Sequence, residues 1–369
     1  MTKFIFFIIF IALSFFTWGF ASGVYHVFPY DSIFEIKNSI YDKNNDNIEF
    51  EILDVDIESL IHISNQNDLD NKKNSLINYI WKNDSPPNYQ PNFVDTNIVD
   101  DRFDLSNLKS IDKITVSMKY DVESISYLFN PENPNNSLII YHQGHAGDFI
   151  HRKETIQYFI DKNYSVLAFS MPLVGLNNRP VIDDPDFGKI KLDLHEEFKF
   201  LESDSFSTIS YFVEPIVVSL NYLDKNYNFE SYNFIGISGG GWTGILYSAI
   251  DNRISKTYSI AGSSPFYLRS IPENFGDYEQ NLPELYRISN YLELYILDSH
   301  GEGRGLLQIF NKYDSCCFSG DIYLDYQPII SDKVSSLGTG SFQIFIDDSH
   351  DEHKISEKSF RVILEDLQN

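Results

Sequence analysis

The sequence has little cysteine and little positive charge. Among its 369 residues there are two cysteines, and these are the neighbours Cys316 and Cys317. A disulfide framework and a cysteine-rich zinc module are therefore excluded. The 28 Lys and Arg residues oppose 53 Asp and Glu, which gives a formal net charge of −25. Because phosphate binding needs clustered cations, neither nucleic acid nor an anionic membrane surface is expected as a partner.

Charged side chains are also absent from residues 4–30, which contain no Asp, Glu, Lys or Arg. As a helix this segment would be about 40 Å long, more than the hydrocarbon core of about 30 Å. Lys3 precedes it, which favours a cytoplasmic N-terminus and export of the rest. We predict a membrane anchor over 1–30, and a signal peptide cleaved after Ala21 remains the alternative. Both interpretations place the remaining chain outside the cytoplasm, in the periplasm or the extracellular space.

The rest of the chain divides into two regions by its patterning. Residues 31–112 are acidic and rich in asparagine, and we interpret them as an accessory region, with a short strand at 48–53, solvated turns at 65–74 and a short helix at 76–81. From 113 to 369, short apolar runs alternate with longer helical patterns. This alternation predicts an α/β domain with a mostly parallel central sheet and helices on both faces. The predicted strands are 114–120, 124–129, 138–141, 166–169, 232–237, 257–261, 306–310 and 342–346.

The strongest chemical signal is the run Gly236-Ile237-Ser238-Gly239-Gly240, which lies between a predicted strand and a predicted helix. A serine at a sharp strand-to-helix turn projects its hydroxyl above the sheet, and the flanking positions leave no room for a Cβ. The helix N-terminus also directs N–H groups at charge that develops near the serine. The pattern therefore predicts Ser238 as a nucleophile.

A serine nucleophile needs a base that is oriented by a carboxylate. Asp314 follows the predicted strand 306–310, and His350 and His353 follow the last predicted strand. We predict Asp314 as the acid and His353 as the base, because His353 stands directly before the final helix. His350 remains the alternative base. Asp298 is a rival acid, whereas Asp347 and Asp348 lie too close to the histidine in sequence.

From residue 113 to the end the chain resembles the α/β-hydrolases, most closely their esterase and dienelactone-hydrolase-like branch. The resemblance rests on the serine turn, the strand order and the sequence order Ser238, Asp314, His353. It implies an oxyanion hole made by the backbone N–H groups of Gly239 and of His145, with Gln143 as the alternative to His145. It also implies that residues 263–304 form an inserted lid.

These features together predict an exported serine hydrolase that cleaves a small-molecule carboxylic ester through an acyl-enzyme. No cofactor and no metal are expected, because no carboxylate or cysteine spacing supports a metal site of His142, His145 and His151. A serine peptidase, an acyltransferase and a catalytically silent binding protein of the same fold remain alternatives. The sequence gives no prediction of the oligomeric state.

Overall fold

The computed structural model describes Trp18 and residues 55–82, 84–269 and 274–368. The predicted membrane segment, apart from Trp18, and a predicted strand at 48–53 lie outside the described residues. Residues Leu53–Asn369 form one compact unit. In the ranges that are described, no helix has the length and apolar character needed to cross a membrane.

A nine-stranded sheet forms the centre of this unit, with the strand order β1-β2-β3-β5-β4-β8-β9-β10-β11. The first three strands are antiparallel to their neighbours, and β5, β4, β8, β9, β10 and β11 are parallel. Two further strands, β6 and β7, form a separate hairpin. The strands are β1 (Phe93–Asp95), β2 (Leu108–Ser117), β3 (Glu123–Pro131), β4 (Ser137–His142), β5 (Ser165–Phe169), β6 (Val181–Asp184), β7 (Gly188–Lys191), β8 (Ser231–Ile237), β9 (Ile254–Ile260), β10 (Gly305–Asn311) and β11 (Ser341–Asp347).

Helices cover both faces of the sheet, as the apolar strands predicted. Side chains alternate along a strand, so Leu138 and Ile140 of β4 join one core cluster, whereas Ile139 and Tyr141 join the other. The first face carries α1 (Gln66–Ile80), α3 (Ser210–Asn226), α4 (Gly239–Ile250), α5 (Pro283–Ile288), α6 (Tyr291–Ser299) and α7 (Gln327–Leu337). The second face carries α2 (Lys153–Ile160) and α8 (Glu357–Leu367).

The predicted solvated turns at 65–74 are wrong, because this segment is the first part of helix α1. Asn65 caps the helix and accepts a hydrogen bond from the Asp68 N–H at 3.1 Å. Apolar residues at helical spacing, Leu69, Leu76 and Ile80, are buried in the core. The many Asn and Asp residues lie on the other side of the helix or at its start, and they concealed this apolar stripe.

Residues 55–112, which the sequence analysis separated as an accessory region, contribute to the same compact unit. They supply α1, β1 and the first half of β2. Strand β2 pairs antiparallel with β3 over the predicted hairpin and continues beyond it to Leu108. Residues 263–304, predicted as a lid, contain α5 and α6, and every residue of α6 is buried.

The parallel strands bring the predicted catalytic residues to one edge of the sheet. Strands β8, β9, β10 and β11 are consecutive neighbours, and their carboxyl ends meet at that edge. Ser238 directly follows β8, and Asp314 and His353 follow β10 and β11. In open α/β sheets this edge is where ligands bind.

Candidate active site

Ser238 lies in a strained turn between β8 and α4. Its backbone has φ 55° and ψ −129°, a conformation that residues with a Cβ rarely adopt. The turn is held by the Ser238 N–H, which donates to the Ile260 carbonyl at 2.8 Å. A Cβ at Gly236 would lie 2.2 Å from the Gly240 carbonyl oxygen, so the close approach of strand and helix requires glycine there. The hydroxyl of Ser238 is thus presented at the helix N-terminus.

Asp314 and His353 form a hydrogen-bonded pair. Nδ1 of His353 donates to Oδ2 of Asp314 at 2.7 Å, and the other carboxylate oxygen accepts from the Cys316 N–H at 2.8 Å. The Asp314 side chain is fully buried, while that of His353 is 16% exposed. With Nδ1 donating, Nε2 of His353 carries the lone pair, and it has no hydrogen-bond partner among the described residues. An imidazole in this state can accept a proton from a nucleophile.

His350 has different surroundings. It is buried, and its Nδ1 accepts from the Glu352 N–H at 3.2 Å, so the ring proton is on Nε2. That Nε2 lies 3.7 Å from Oδ2 of Asp347. Asp347 itself accepts hydrogen bonds from the hydroxyls of Ser349, Ser356 and Ser359, so it holds the start of α8 in place. Burial raises the pKa of Asp347, but these donors and His350 hold it well below its ordinary value.

The rival acid Asp298 lies elsewhere. It is buried in α6 and its Oδ1 accepts from the Thr257 hydroxyl at 2.8 Å. Burial raises the pKa of Asp298 to about 8, against the effect of the nearby Arg304. A carboxyl group that stays largely protonated is a poor partner for a catalytic imidazole.

The loop after β4 packs directly on the serine turn. A Cβ at Gly144 would lie 2.6 Å from Cβ of Ser238 and 3.2 Å from the Gly239 nitrogen, so the backbones of the loop and the turn touch. The Gln143 N–H donates to the Phe169 carbonyl at 3.0 Å and is therefore engaged within the sheet. That bond favours His145 over Gln143 as the second predicted oxyanion donor.

Among the described residues, His142, His145 and His151 do not form a group that could hold a metal ion. His142 is stacked between Phe169 and Phe234, and its Nδ1 donates to the Gln143 carbonyl at 2.9 Å. Burial lowers the pKa of His142 to about 4, so the ring is neutral at pH 7. His151 is an exposed side chain near Asp148.

The His145 side chain instead joins a polar cluster that the sequence analysis missed. We call His145, His195, Asp277 and Glu279 the His–carboxylate cluster. Nε2 of His145 lies 2.7 Å from Oε1 of Glu279, and Nδ1 of His195 lies 3.0 Å from its Oε2. The cluster adjoins the serine turn, since a Cβ at Gly239 would lie 2.3 Å from Cε1 of His145.

Burial opposes the charged forms within this cluster, and the ion pairs favour them. Burial raises the pKa of Glu279, but the two imidazoles lower it more, to well below the ordinary value. Burial lowers the pKa of His195, and the Glu279 carboxylate raises it to above the ordinary value. The cluster members come from three segments that are far apart in sequence, and no spacing pattern in the chain links them.

Comparison with known proteins supports the fold. No protein-family profile and no curated protein sequence matches the chain. Among solved structures it is similar to a glucuronoyl esterase from Solibacter usitatus, with 13% identity and a TM-score of 0.52, over 80% of this chain and 91% of that one.

Two other solved structures have comparable coverage. An acetyl xylan esterase from Paenibacillus sp. R4 is 14% identical with a TM-score of 0.48, over 85% of this chain and 99% of that one. An esterase of Pyrococcus furiosus is 15% identical with a TM-score of 0.48, over 79% and 98%. The strand order, the serine turn and the glucuronoyl esterase likeness together confirm that the chain has the α/β-hydrolase fold.

Proposed function

We propose that this protein is a serine hydrolase that cleaves a carboxylic ester through an acyl-enzyme. Nε2 of His353 takes the proton of the Ser238 hydroxyl, whose oxygen attacks the ester carbonyl. Asp314 orients the imidazole and stabilises the imidazolium that forms. The backbone N–H groups of Gly239 and His145 bind the oxyanion. The protonated histidine then gives its proton to the leaving alcohol, and water that is activated by the same histidine releases the acid.

The observation that carries this proposal is the joint geometry of the strand ends. A serine in a strained turn after β8 shares a sheet edge with a histidine whose Nδ1 is bonded to a buried carboxylate and whose Nε2 has no partner among the described residues. A catalytically silent protein has no need to retain the strained backbone at Ser238 together with a correctly oriented imidazole. The same fold supports many different activities, so the proposed function depends on these residues.

The proposed substrate is a neutral ester. The formal net charge of −25 repels anionic substrates at long range. The glucuronoyl esterase that shares the fold is an ester hydrolase by its name, which is consistent with ester chemistry on this scaffold. Attack on an ester also needs less activation of the leaving group than attack on an amide.

The test compares ester and amide hydrolysis by the purified full-length chain kept in mild detergent. p-Nitrophenyl acetate and butyrate are the esters, and the p-nitroanilides of acetylated amino acids are the amides. We expect turnover of the esters with kcat/KM well above that of the anilides, and loss of both activities in Ser238→Ala. Faster hydrolysis of the anilides would favour a peptidase, and unchanged ester hydrolysis in Ser238→Ala would refute the proposal.

We propose further that the hydrolase acts outside the cytoplasm, held by residues 1–30. The uncharged run at 4–30 and Lys3 before it support this placement. An alkaline phosphatase fusion after residue 60 in a bacterial host should be active, and the protein should remain in the membrane fraction after a high-salt wash. An inactive fusion would contradict the proposal, and release into the medium would indicate cleavage.

A further inference from the structure

When both of its imidazoles are neutral, the His–carboxylate cluster has more acceptors than its protons can satisfy. Nε2 of His195 lies 2.9 Å from the Pro172 carbonyl, which only accepts, so Nε2 must carry a proton. In the neutral ring Nδ1 is then a lone pair, and it faces Oε2 of Glu279 at 3.0 Å. Two electron-rich atoms in contact require a cation between them or a second proton on the ring.

A similar conflict exists at His145. Its Nε2 lies 2.7 Å from Oε1 of Glu279 and 3.0 Å from Oδ2 of Asp277. A single N–H cannot make two strong hydrogen bonds in different directions. The carboxylates of Asp277 and Glu279 thus approach the same nitrogen. Because both are negatively charged, each raises the free-energy cost of keeping the other ionised.

Burial makes this cost large. The Glu279 side chain is fully buried and that of His195 is 5% exposed. A buried carboxylate is stable only when it is paired with positive charge and hydrogen-bonded. No Lys or Arg is among the described hydrogen-bond or ion-pair partners of the Glu279 side chain, which are the two imidazoles. One divalent cation would neutralise both carboxylates of the cluster and leave both imidazoles neutral.

The distances fit such an ion. A tetrahedral ion with bonds of about 2.0 Å separates its ligand atoms by about 3.3 Å. The four histidine–carboxylate distances range from 2.7 Å between His145 and Glu279 to 3.9 Å between His195 and Asp277, and one ligand atom from each of the four residues lies within 4.8 Å of the others. The Nε2–H of His195 bonded to the Pro172 carbonyl is the second bond that metal-ligating histidines usually make.

An entry path is also present. His145, His195 and Asp277 line a cleft of about 260 Å³, and the Asp277 side chain is 51% exposed at its mouth. The opposite side is closed by the rings of Phe198 and Phe212, which pack against His195. An ion can therefore enter from solvent, and aromatic rings cover the inner side of the site.

We propose that His145, His195, Asp277 and Glu279 bind one divalent transition-metal ion, with Zn²⁺ as the best match. Imidazole and carboxylate ligands in a four-coordinate arrangement suit Zn²⁺, whereas Ca²⁺ and Mg²⁺ prefer more ligands that are all oxygen. The ion joins the loop of His145 to residues 195 and 277–279, and so fixes the loop that packs on the serine turn. It is a positioning site, since the ion acts through His145, whose ring adjoins Gly239.

The experiment measures Zn²⁺ binding by the full-length chain in mild detergent, by competition with a chromophoric zinc indicator. We expect one Zn²⁺ per chain, and affinity reduced at least about tenfold in Asp277→Asn and in Glu279→Gln. Asp277 is half exposed, so its variant is expected to fold even if Glu279→Gln does not. The matched control is Asp193→Asn, a carboxylate that lines the same cleft outside the cluster, and it should bind Zn²⁺ like the wild type.

Two further variants separate the alternatives. Ser238→Ala should bind Zn²⁺ normally, so the binding result does not depend on the proposed hydrolase activity. Cys317→Ser tests a second group among the described residues that could hold an ion, Cys316, Cys317 and His353. Absence of stoichiometric Zn²⁺ binding by the folded wild type would overturn the proposal in favour of a protonated His195. Binding that survives Asp277→Asn unchanged, or that is lost in Cys317→Ser, would overturn it in favour of another site.

Discussion

His353 and His350 are three residues apart, and they make different hydrogen bonds. His353 bonds through Nδ1 to the buried Asp314, whereas His350 uses Nδ1 as an acceptor for a backbone N–H. We expect His353→Ala to lower kcat/KM for an ester by about 10⁴-fold or more. His350→Ala should lower it less than about tenfold and mainly reduce thermal stability, because it removes a buried ring. Parallel kinetics and thermal unfolding of both variants check this, and the reverse order of activities would make His350 the base.

The sequence predicted an acid after β10 and a histidine after β11, because these residues follow strands in the order typical of this fold. The choice between the two histidines was not predictable, since it depends on which ring nitrogen meets which partner. His195 and Glu279 were missed for a related reason. Each is unremarkable in its own segment, and only the folded chain brings them to His145.

The loop after β4 and the turn before α4 depend on each other through Gly144. An added Cβ there would lie 2.6 Å from Cβ of Ser238 and 2.7 Å from the Ile237 carbonyl oxygen. Gly144→Ala should therefore push the predicted oxyanion loop away from the nucleophile. We expect a fall in kcat/KM of at least about 100-fold, mostly in kcat.

The control for this variant is Gly188→Ala in the β6–β7 hairpin. That glycine has φ 76° with no atom near its Cβ position, so alanine there costs backbone strain without a collision. It should lose about 1 kcal/mol of stability and keep its activity. Equal activity of Gly144→Ala and wild type would show that the loop does not act in catalysis.

Helix α6 contains a carboxyl group whose protonation is linked to folding. The pKa of Asp298 is raised by burial to about 8, against about 4 when unfolded. Between these values the folded chain binds the proton and the unfolded chain does not. The contribution of this group to stability is therefore lost as the pH rises from about 4 to about 8.

Asp298→Asn should remove this dependence while it keeps the acceptor for the Thr257 hydroxyl. We expect the variant to be more stable than wild type, with a difference that grows by up to about 1 kcal/mol per pH unit from pH 5 to pH 8. Denaturant unfolding across that range measures it, with Asp332→Asn at an exposed position of α7 as control. A difference that is constant with pH would contradict the assigned protonation.

The elements of the sheet were easier to predict than the first helix. Runs such as 138–141 and 232–237 are short, apolar and buried on both sides, so their pattern is unambiguous. Helix α1 was predicted only in its last part, because Asn and Asp are as typical of turns as of solvated helix faces. The segment is helical because Leu69, Leu76 and Ile80 pack on α4 and its neighbours in the core.

The charge of the whole molecule should select among esters. At a formal net charge of −25, anionic esters are repelled until salt screens the field. We compare a neutral ester with an anionic ester that has the same scissile bond, between about 0.01 M and about 1 M ionic strength. We expect kcat/KM for the anionic ester to rise at least about threefold with salt, while the neutral ester changes by less than about twofold. The same salt response for both substrates would show that the negative charge of the protein does not act on a substrate at the candidate active site.

The proposed mechanism depends above all on Ser238 as the nucleophile. The most direct measurement is labelling of the folded full-length chain with a fluorophosphonate probe, followed by mass spectrometry of the proteolysed adduct. We expect one adduct, on the peptide that contains Ser238, and no labelling of that peptide after heat denaturation. An adduct on another residue, or none on the folded protein, would show that Ser238 is not the nucleophile.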